Sequence, residues 1–221
     1  MKRARPALTR EAIREAALAL IDREGLEAFS TRKLGAALGC EAMAIYWHYP
    51  NKDALLDAVG ELLIAPVAAV VAKPKKRDWI AVLREVAHAY RGIARAHPNA
   101  FPLLATRRFA SEGSYVFLEH LFELARAQGI TDRVTARFYR MVSSYCNGFS
   151  LHELARPVPA TASTRKTFPR LAAVSTWLEP RHLDEMFRFG LELQLDALAA
   201  QTGAKPNAKG RDHRVRRSAR A

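Results

Sequence analysis

The chain has 221 residues, 49% of them hydrophobic and 26% charged, and carries a net charge of +13. That length supports one or two cored domains, and a composition rich in Ala and Leu with few β-branched runs points to an all-α fold. Its two cysteines, Cys40 and Cys146, form no CxxC pair, which excludes a cysteine zinc site and a disulfide scaffold and suits a reducing cytoplasm, the expected location.

No apolar run follows the basic MKRARP, so no secretory leader is expected. The longest apolar stretch, LLIAPVAAVVA at 62–72, is shorter than a bilayer span and contains Pro66, so no membrane partner is expected either. The charge is unevenly spread. Residues 1–60 hold nine Lys/Arg against eight Asp/Glu, whereas 203–221 hold seven Lys/Arg and one Asp. Such a tail is either a disordered, solubilising end or an arm that adds non-specific DNA affinity.

In chain order, Thr9 is placed to cap a first helix, with Glu11 in its first turn favouring the helix dipole. Ile13, Ala16, Ala17, Leu20 and Ile21 share one face, and Gly25 ends it. Ser30 caps a short helix, 31–38, closed by Gly39, and a third runs from Glu41 to His48. Two short helices joined by a glycine turn make a helix-turn-helix, whose second member enters the major groove. Leu34, Leu38, Cys40 and Ile45 lock the pair together. Tyr46, Trp47, His48 and Tyr49 follow one another at about 100° per residue, so they cannot all face one core. Some must look outward.

A long helix is expected from Lys52 to Ala72, interrupted near Pro66. Asp78 or Trp79 starts another, which reaches His97. A short helix over 101–109 follows, then an amphipathic one over 114–128 that stops at Gly129. Thr131 caps a helix to Arg156. PVPATASTRKT at 157–167 reads as a loop, 169–178 as a short helix, and Pro180 opens the last helix, to Gln201. His88, His97, His120, His152 and His182 fall in no HxxxH or HExxH pattern, and no GxSxG, phosphate loop or acid–base constellation occurs. No catalytic, metal or cofactor site is expected.

STRKLGAALGCEAMAIYWHYPNKDALLDAV, residues 30–59, resembles the DNA-binding domain of the tetracycline-repressor (TetR) family, above all in YWH, its spacing to NK, and ALLDA. The likeness continues through W…LR…A…YR at 79–91, the helix end at His97, LATR at 104–107 and FGLEL at 189–193. The resemblance implies a three-helix DNA-binding domain over 1–52, a C-terminal helical effector-binding and dimerisation domain over 53–202, and a basic tail over 203–221. It implies that Thr31, Tyr46, Trp47, His48 and Lys52 contact the phosphate backbone and that Arg32 reaches a base edge. Ala42, Met43 and Ala44 would occupy the base-facing positions, where side chains this short or apolar contact only thymine methyls. Tyr49 would belong to the core, Asn51 to a turn, and Lys33 to solvent.

The implied protein is a homodimeric regulator, most often a repressor, that leaves a palindromic double-stranded DNA operator when a small-molecule effector binds. For the dimer, Phe138, Tyr145 and Phe149 on the 131–156 helix and Leu183, Phe187, Leu191 and Leu198 on the last helix are the expected interface, forming a four-helix bundle across a two-fold axis. Met186, Phe189, Leu193 and Ala197 make a second apolar face on that last helix. Expected pocket residues are Tyr90, Phe101, Arg107, Tyr115, Phe117, Tyr139, Tyr145, Asn147 and Trp177. The family's magnesium–tetracycline chemistry uses histidine, yet 61–71 and 100–108 contain none and Val86 stands where the drug-gripping asparagine would. Magnesium–tetracycline is therefore not the expected effector, and a more apolar or aromatic molecule fits better. Two other readings stand beside this one: a constitutive DNA binder, favoured by the basic tail, and a helical enzyme.

Overall fold

The computed structural model describes residues 8–72, 77–107, 112–155 and 166–203. The start of the chain, the basic run at 73–76, most of the 157–167 loop and the tail beyond 203 lie outside the described residues. Among the described residues every regular element is helical: α1 (Arg10–Glu24), α2 (Thr31–Leu38), α3 (Ala42–Tyr46), α4 (Lys52–Ala72), α5 (Trp79–Ala96), α6 (Phe101–Thr106), α7 (Glu112–Arg126), α8 (Asp132–Leu154), α9 (Pro169–Ser175) and α10 (Leu183–Thr202).

The starts follow side-chain chemistry. Thr9 Oγ1 accepts from the Ala12 N–H at 3.1 Å, Ser30 Oγ from Lys33 at 3.3 Å, Asp78 Oδ2 from Ala81 at 2.9 Å and Thr131 Oγ1 from Val134 at 3.4 Å. Each fills one of the orphan donors of a first turn. α2 ends on Gly39 in the left-handed region, φ 67°, which glycine adopts without steric cost.

α6, α7 and α8 end or start two or three residues away from the expected bounds, and three further departures from the sequence reading have a physical cause. α4 runs unbroken through Pro66. A mid-helix proline costs about 3 kcal/mol, but Leu63, Val67 and Val70 are buried on either side of it, and their packing holds the helix across the lost hydrogen bond. Unbroken, α4 is by length and composition long enough to cross a membrane. Its Leu55, Leu56, Val59, Leu63 and Val67 are instead taken up by this protein's own core. α3 stops at Tyr46 rather than His48: the His48 and Tyr49 N–H groups both bond back to the Ile45 carbonyl, at 3.0 Å each, and close the helix in a tight turn ahead of Pro50. Pro180 opens a single 3₁₀ turn, Pro180–His182, and α10 starts only at Leu183.

Two apolar clusters build the interior. The first joins Ile13, Ala17, Leu20 and Ile21 of α1 to Leu34, Ile45 and Tyr49, and continues through Leu55, Leu56, Val59 and Leu63 of α4 to Ile93, Phe101 and Leu104. The headpiece therefore shares its core with α4–α6 across residue 52. The second gathers α5, α7, α8 and α10 around Trp79, Leu83, Leu121, Phe138, Val142, Phe187, Leu191 and Leu198. Between α5, α8 and α10 the nearly buried Arg91 donates to both carboxylate oxygens of Glu153, at 2.6 and 2.8 Å, and to Asp184 at 2.8 Å. Removing Arg91 would strand the largely buried Glu153 carboxylate, whose next cation, Arg95, stands 4.0 Å away.

Candidate nucleic-acid interface

The α2–α3 pair is held by a tight approach. A Cβ on Gly35 would stand 2.7 Å from the Cys40 carbonyl, so only glycine lets the turn fold back this closely. Leu34 and Ile45 are buried beneath it. Thr31 at the start of α2 and Tyr46 at the end of α3 then meet, hydroxyl to hydroxyl, at 3.2 Å.

What remains outward is apolar and aromatic. Trp47 is 88% exposed and Met43 67%, with Tyr46 also exposed and Ala42, Ala44, Thr31 and His48 half-buried. Tyr49 points inward, and its hydroxyl donates to the Arg10 carbonyl at 2.9 Å. Burial raises its phenol above the ordinary tyrosine value. Asn51 is a turn residue whose Oδ1 caps α4 by accepting from Ala54 at 2.8 Å. Arg32 is exposed and has no hydrogen-bond or ion-pair partner among the described residues. Lys33 is not a free solvated charge: it donates to Glu24 and to the Ala28 carbonyl, both at 2.9 Å. Lys52 lies exposed at the head of α4 and spends one donor on the Phe29 carbonyl at 3.1 Å, which leaves two N–H groups of its ammonium.

The expected pocket residues divide. Tyr90 and Phe117 are partly buried against both apolar clusters. The Tyr90 hydroxyl donates to Asn147 Oδ1 at 3.2 Å, and Asn147 Nδ2 donates to the Ala105 carbonyl at 3.1 Å. Phe101 is buried edge-on to Tyr90, at 5.3 Å, and Tyr139 is half-buried edge-on to Phe122, at 5.2 Å. Burial raises both the Tyr90 and Tyr139 phenols, so both remain neutral donors. Tyr115 and Trp177 are corrected: both are exposed and line nothing inside the subunit. Tyr145 is turned to α10, where its hydroxyl reaches the Met186 and Phe187 carbonyls at 3.2 and 3.0 Å. Its approach needs Gly190, where any Cβ would fall 2.4 Å from the hydroxyl. Arg107 leaves the interior and pairs with Asp53 at 2.9 Å and Asp57 at 3.6 Å, tying the end of α6 to the first turns of α4.

The expected interface also needs correction. Phe138, Phe187, Leu191 and Leu198 are buried in their own subunit and cannot reach a partner. Tyr145, Phe149 and Leu183 are half-buried, the first two packed on Phe187. The outward apolar residues are Met141 and Leu151 on α8 and, on α10, Phe189 at 66% and Leu193 at 57% exposed. α10 is apolar on two sides, and the sequence reading took its inner side for the outer one.

Sequence reasoning passed over two long-range ties. Asp22 at the end of α1 meets His97 Nδ1 at 2.7 Å and accepts from Asn99 on its carbonyl at 2.7 Å. Arg10 meets the turn after α3, donating from Nη1 to the His48 carbonyl. No local pattern announces either contact. Among the described residues no group of three or more His, Cys, Asp or Glu is arranged to hold a metal.

The family model described as bacterial regulatory proteins, tetR family, matches residues 13–59, and the tetracyclin repressor-like C-terminal domain matches 72–202. The class A tetracycline repressor of Escherichia coli is 30% identical over 207 residues, 88% of this chain and 92% of that protein. A possible TetR-family transcriptional regulator from Streptomyces coelicolor superposes with a TM-score of 0.74 at 28% identity, over 87% of this chain and 99% of that one. The ActR protein of Streptomyces coelicolor, solved with actinorhodin, superposes with a TM-score of 0.71 at 26% identity, over 90% of this chain and all of the other.

Proposed function

The chain belongs to the TetR family of bacterial regulatory proteins, and on that premise we propose that it is a homodimeric repressor released from a palindromic operator by a small-molecule effector. The observation that carries this reading is the outward presentation of Trp47, Met43, Tyr46 and the unpaired Arg32 by two short, locked helices. Rings left in water at that density need a partner, and a duplex offers one. The work divides as 1–52 for DNA, 53–202 for effector and dimer, and 203–221 as a basic tail. It takes place in the cytoplasm, where operator DNA is accessible, and it is regulation rather than catalysis.

On the operator, Thr31, Tyr46, Trp47, His48 and Lys52 grip sugar and phosphate, which fixes register without reading sequence. Arg32 reads a base edge. Ala42, Met43 and Ala44 sense thymine methyls. Two such headpieces on a two-fold axis reach successive major grooves, and Met141, Leu151, Phe189 and Leu193 supply the apolar surface that joins the subunits.

The effector binds between the two apolar clusters, around Tyr90, Phe117, Tyr139 and Asn147. The polar atoms there are neutral amide and phenol groups, which suits an uncharged, aromatic molecule rather than a metal chelate. Asn147 holds the Ala105 carbonyl in the last turn of α6, and Arg107 two residues on holds α4. A ligand that competes for Asn147 or Tyr90 thus loosens α6, and α4 swings the headpieces out of groove spacing. Such coupling is typically about 1–3 kcal/mol and is reciprocal: DNA weakens effector by the same factor.

The test is selection of bound duplexes from random sequence, followed by a screen for compounds that release the selected site. A palindromic consensus and a releasing compound support the reading. Binding without sequence preference, or an operator complex that no compound releases, would favour the constitutive binder.

A further inference from the structure

Arg10 opens α1, 38 residues before His48, yet it touches the turn after α3 in three ways. Its Nη1 donates to the His48 carbonyl. Its guanidinium lies 4.3 Å from the centre of the Tyr49 ring. The buried Tyr49 hydroxyl returns a bond to the Arg10 carbonyl at 2.9 Å. The last carbonyls of a helix lack N–H partners and gather partial negative charge, so a cation at this end both fills an acceptor and suits the dipole.

α3 is five residues long and has no side-chain cap at its start. A helix that short has no stability of its own, and its attitude is set by what it leans on. Ile45 and Tyr49 fix its depth from inside. Arg10 is the contact that ties its outer end to α1, immediately beside the exposed Trp47 and the half-buried His48.

We propose that Arg10 is a positioning residue for operator binding: it locks the 47–49 turn so that Tyr46, Trp47 and His48 meet the sugar–phosphate edge together. The inference rests on the DNA-binding reading above and adds a residue which that reading does not use. The rival role for an exposed guanidinium here is a direct phosphate contact, and salt dependence separates the two. Neutralising a phosphate releases counterions, whereas bracing a turn does not.

The experiment titrates full-length wild type, Arg10→Ala, Arg10→Lys and Tyr49→Phe against the duplex selected with wild type, at several salt concentrations. Arg10→Ala is expected to raise the Kd of the dimer about a hundredfold, one charge-assisted hydrogen bond being lost from each of the two headpieces, with an unchanged slope of log affinity on log salt. Arg10→Lys should regain part of the loss, and Tyr49→Phe, which keeps the ring and loses the bond to Arg10, should weaken binding in the same direction. A slope smaller by about 1.8 in Arg10→Ala, about 0.9 for each subunit's Arg10, would mean a lost phosphate contact and overturn the proposal, as would an unchanged Kd. A variant that only folds less well would show the wild-type Kd once its concentration is corrected for the active fraction, read from a stoichiometric titration at high duplex concentration, and that too overturns it. Failure of wild type to select any duplex would instead refute the DNA-binding reading.

Discussion

Phe189 and Leu193 stand one turn apart on α10 and are 66% and 57% exposed in the isolated subunit. Fully burying such a side chain is worth about 1.5–3 kcal/mol, so the part left for a partner is worth about 1–2 kcal/mol each. A two-fold axis counts every residue twice. The double variant Phe189→Ala, Leu193→Ala therefore removes about 4–8 kcal/mol from association, roughly three to six powers of ten in the dimer Kd. Alanine is a good helix former and neither side chain is needed by the subunit core, so the released monomer should keep its helical signal. Sedimentation equilibrium over a concentration series reads the change directly. Phe187→Ala is the contrasting case: its ring is fully buried, and its loss should lower folding stability by about 3–5 kcal/mol rather than yield a folded monomer. A double variant that remains dimeric at the wild-type concentrations would refute the assignment of this face.

Gly35→Ala places a methyl 2.7 Å from the Cys40 carbonyl, a backbone atom that cannot step aside. It should push α2 and α3 apart and weaken operator binding at least tenfold while leaving dimerisation intact, as gel-shift titration and sedimentation would show. Cys146 and Tyr145 are both pushed up by burial to about 12, from 9.0 and 10.0. The native state therefore keeps protons that the unfolded chain loses, and stability is full below pH 9.0 and falls as pH rises from there toward about 12. Urea melts at pH 8 and 10 should show the loss, and Cys146→Ala should remove its earliest part. Arg107→Ala cuts the tie from α6 to Asp53 and Asp57, so compounds recovered by the release screen should still bind, measured by calorimetry, yet lose most of their power to free the operator.

Much of the fold was legible because capping and periodicity are local. Thr9, Ser30, Asp78 and Thr131 each bond an N–H three residues on, and that chemistry can be read from the sequence alone. That some of the four successive rings face outward was legible by a counting argument, since successive helical residues diverge; which ones do, and that Tyr49 turns in, was implied by the family resemblance. What failed depends on neighbours far along the chain. α10 carries apolar residues on two sides, and nothing local says that Phe187 and Leu191 meet α5 and α8 while Phe189 and Leu193 do not. Pro66 has a local cost that packing by Leu63 and Val67 outweighs. Trp177 and Tyr115 look like pocket aromatics in sequence but lie on the surface. Arg107, expected inside, is drawn out by Asp53 and Asp57, and the grips of Arg10 on His48 and of Asp22 on His97 span tens of residues.

The central claim is that the rings exposed at the end of α3 and just beyond it exist to hold DNA. Its most direct test is the affinity of Tyr46→Ala, Trp47→Ala dimers for the selected operator at fixed salt. With four phosphate-facing groups lost per dimer, Kd should rise at least about a hundredfold while sedimentation reports the same dimer. Wild-type affinity in a folded, dimeric variant would contradict the account.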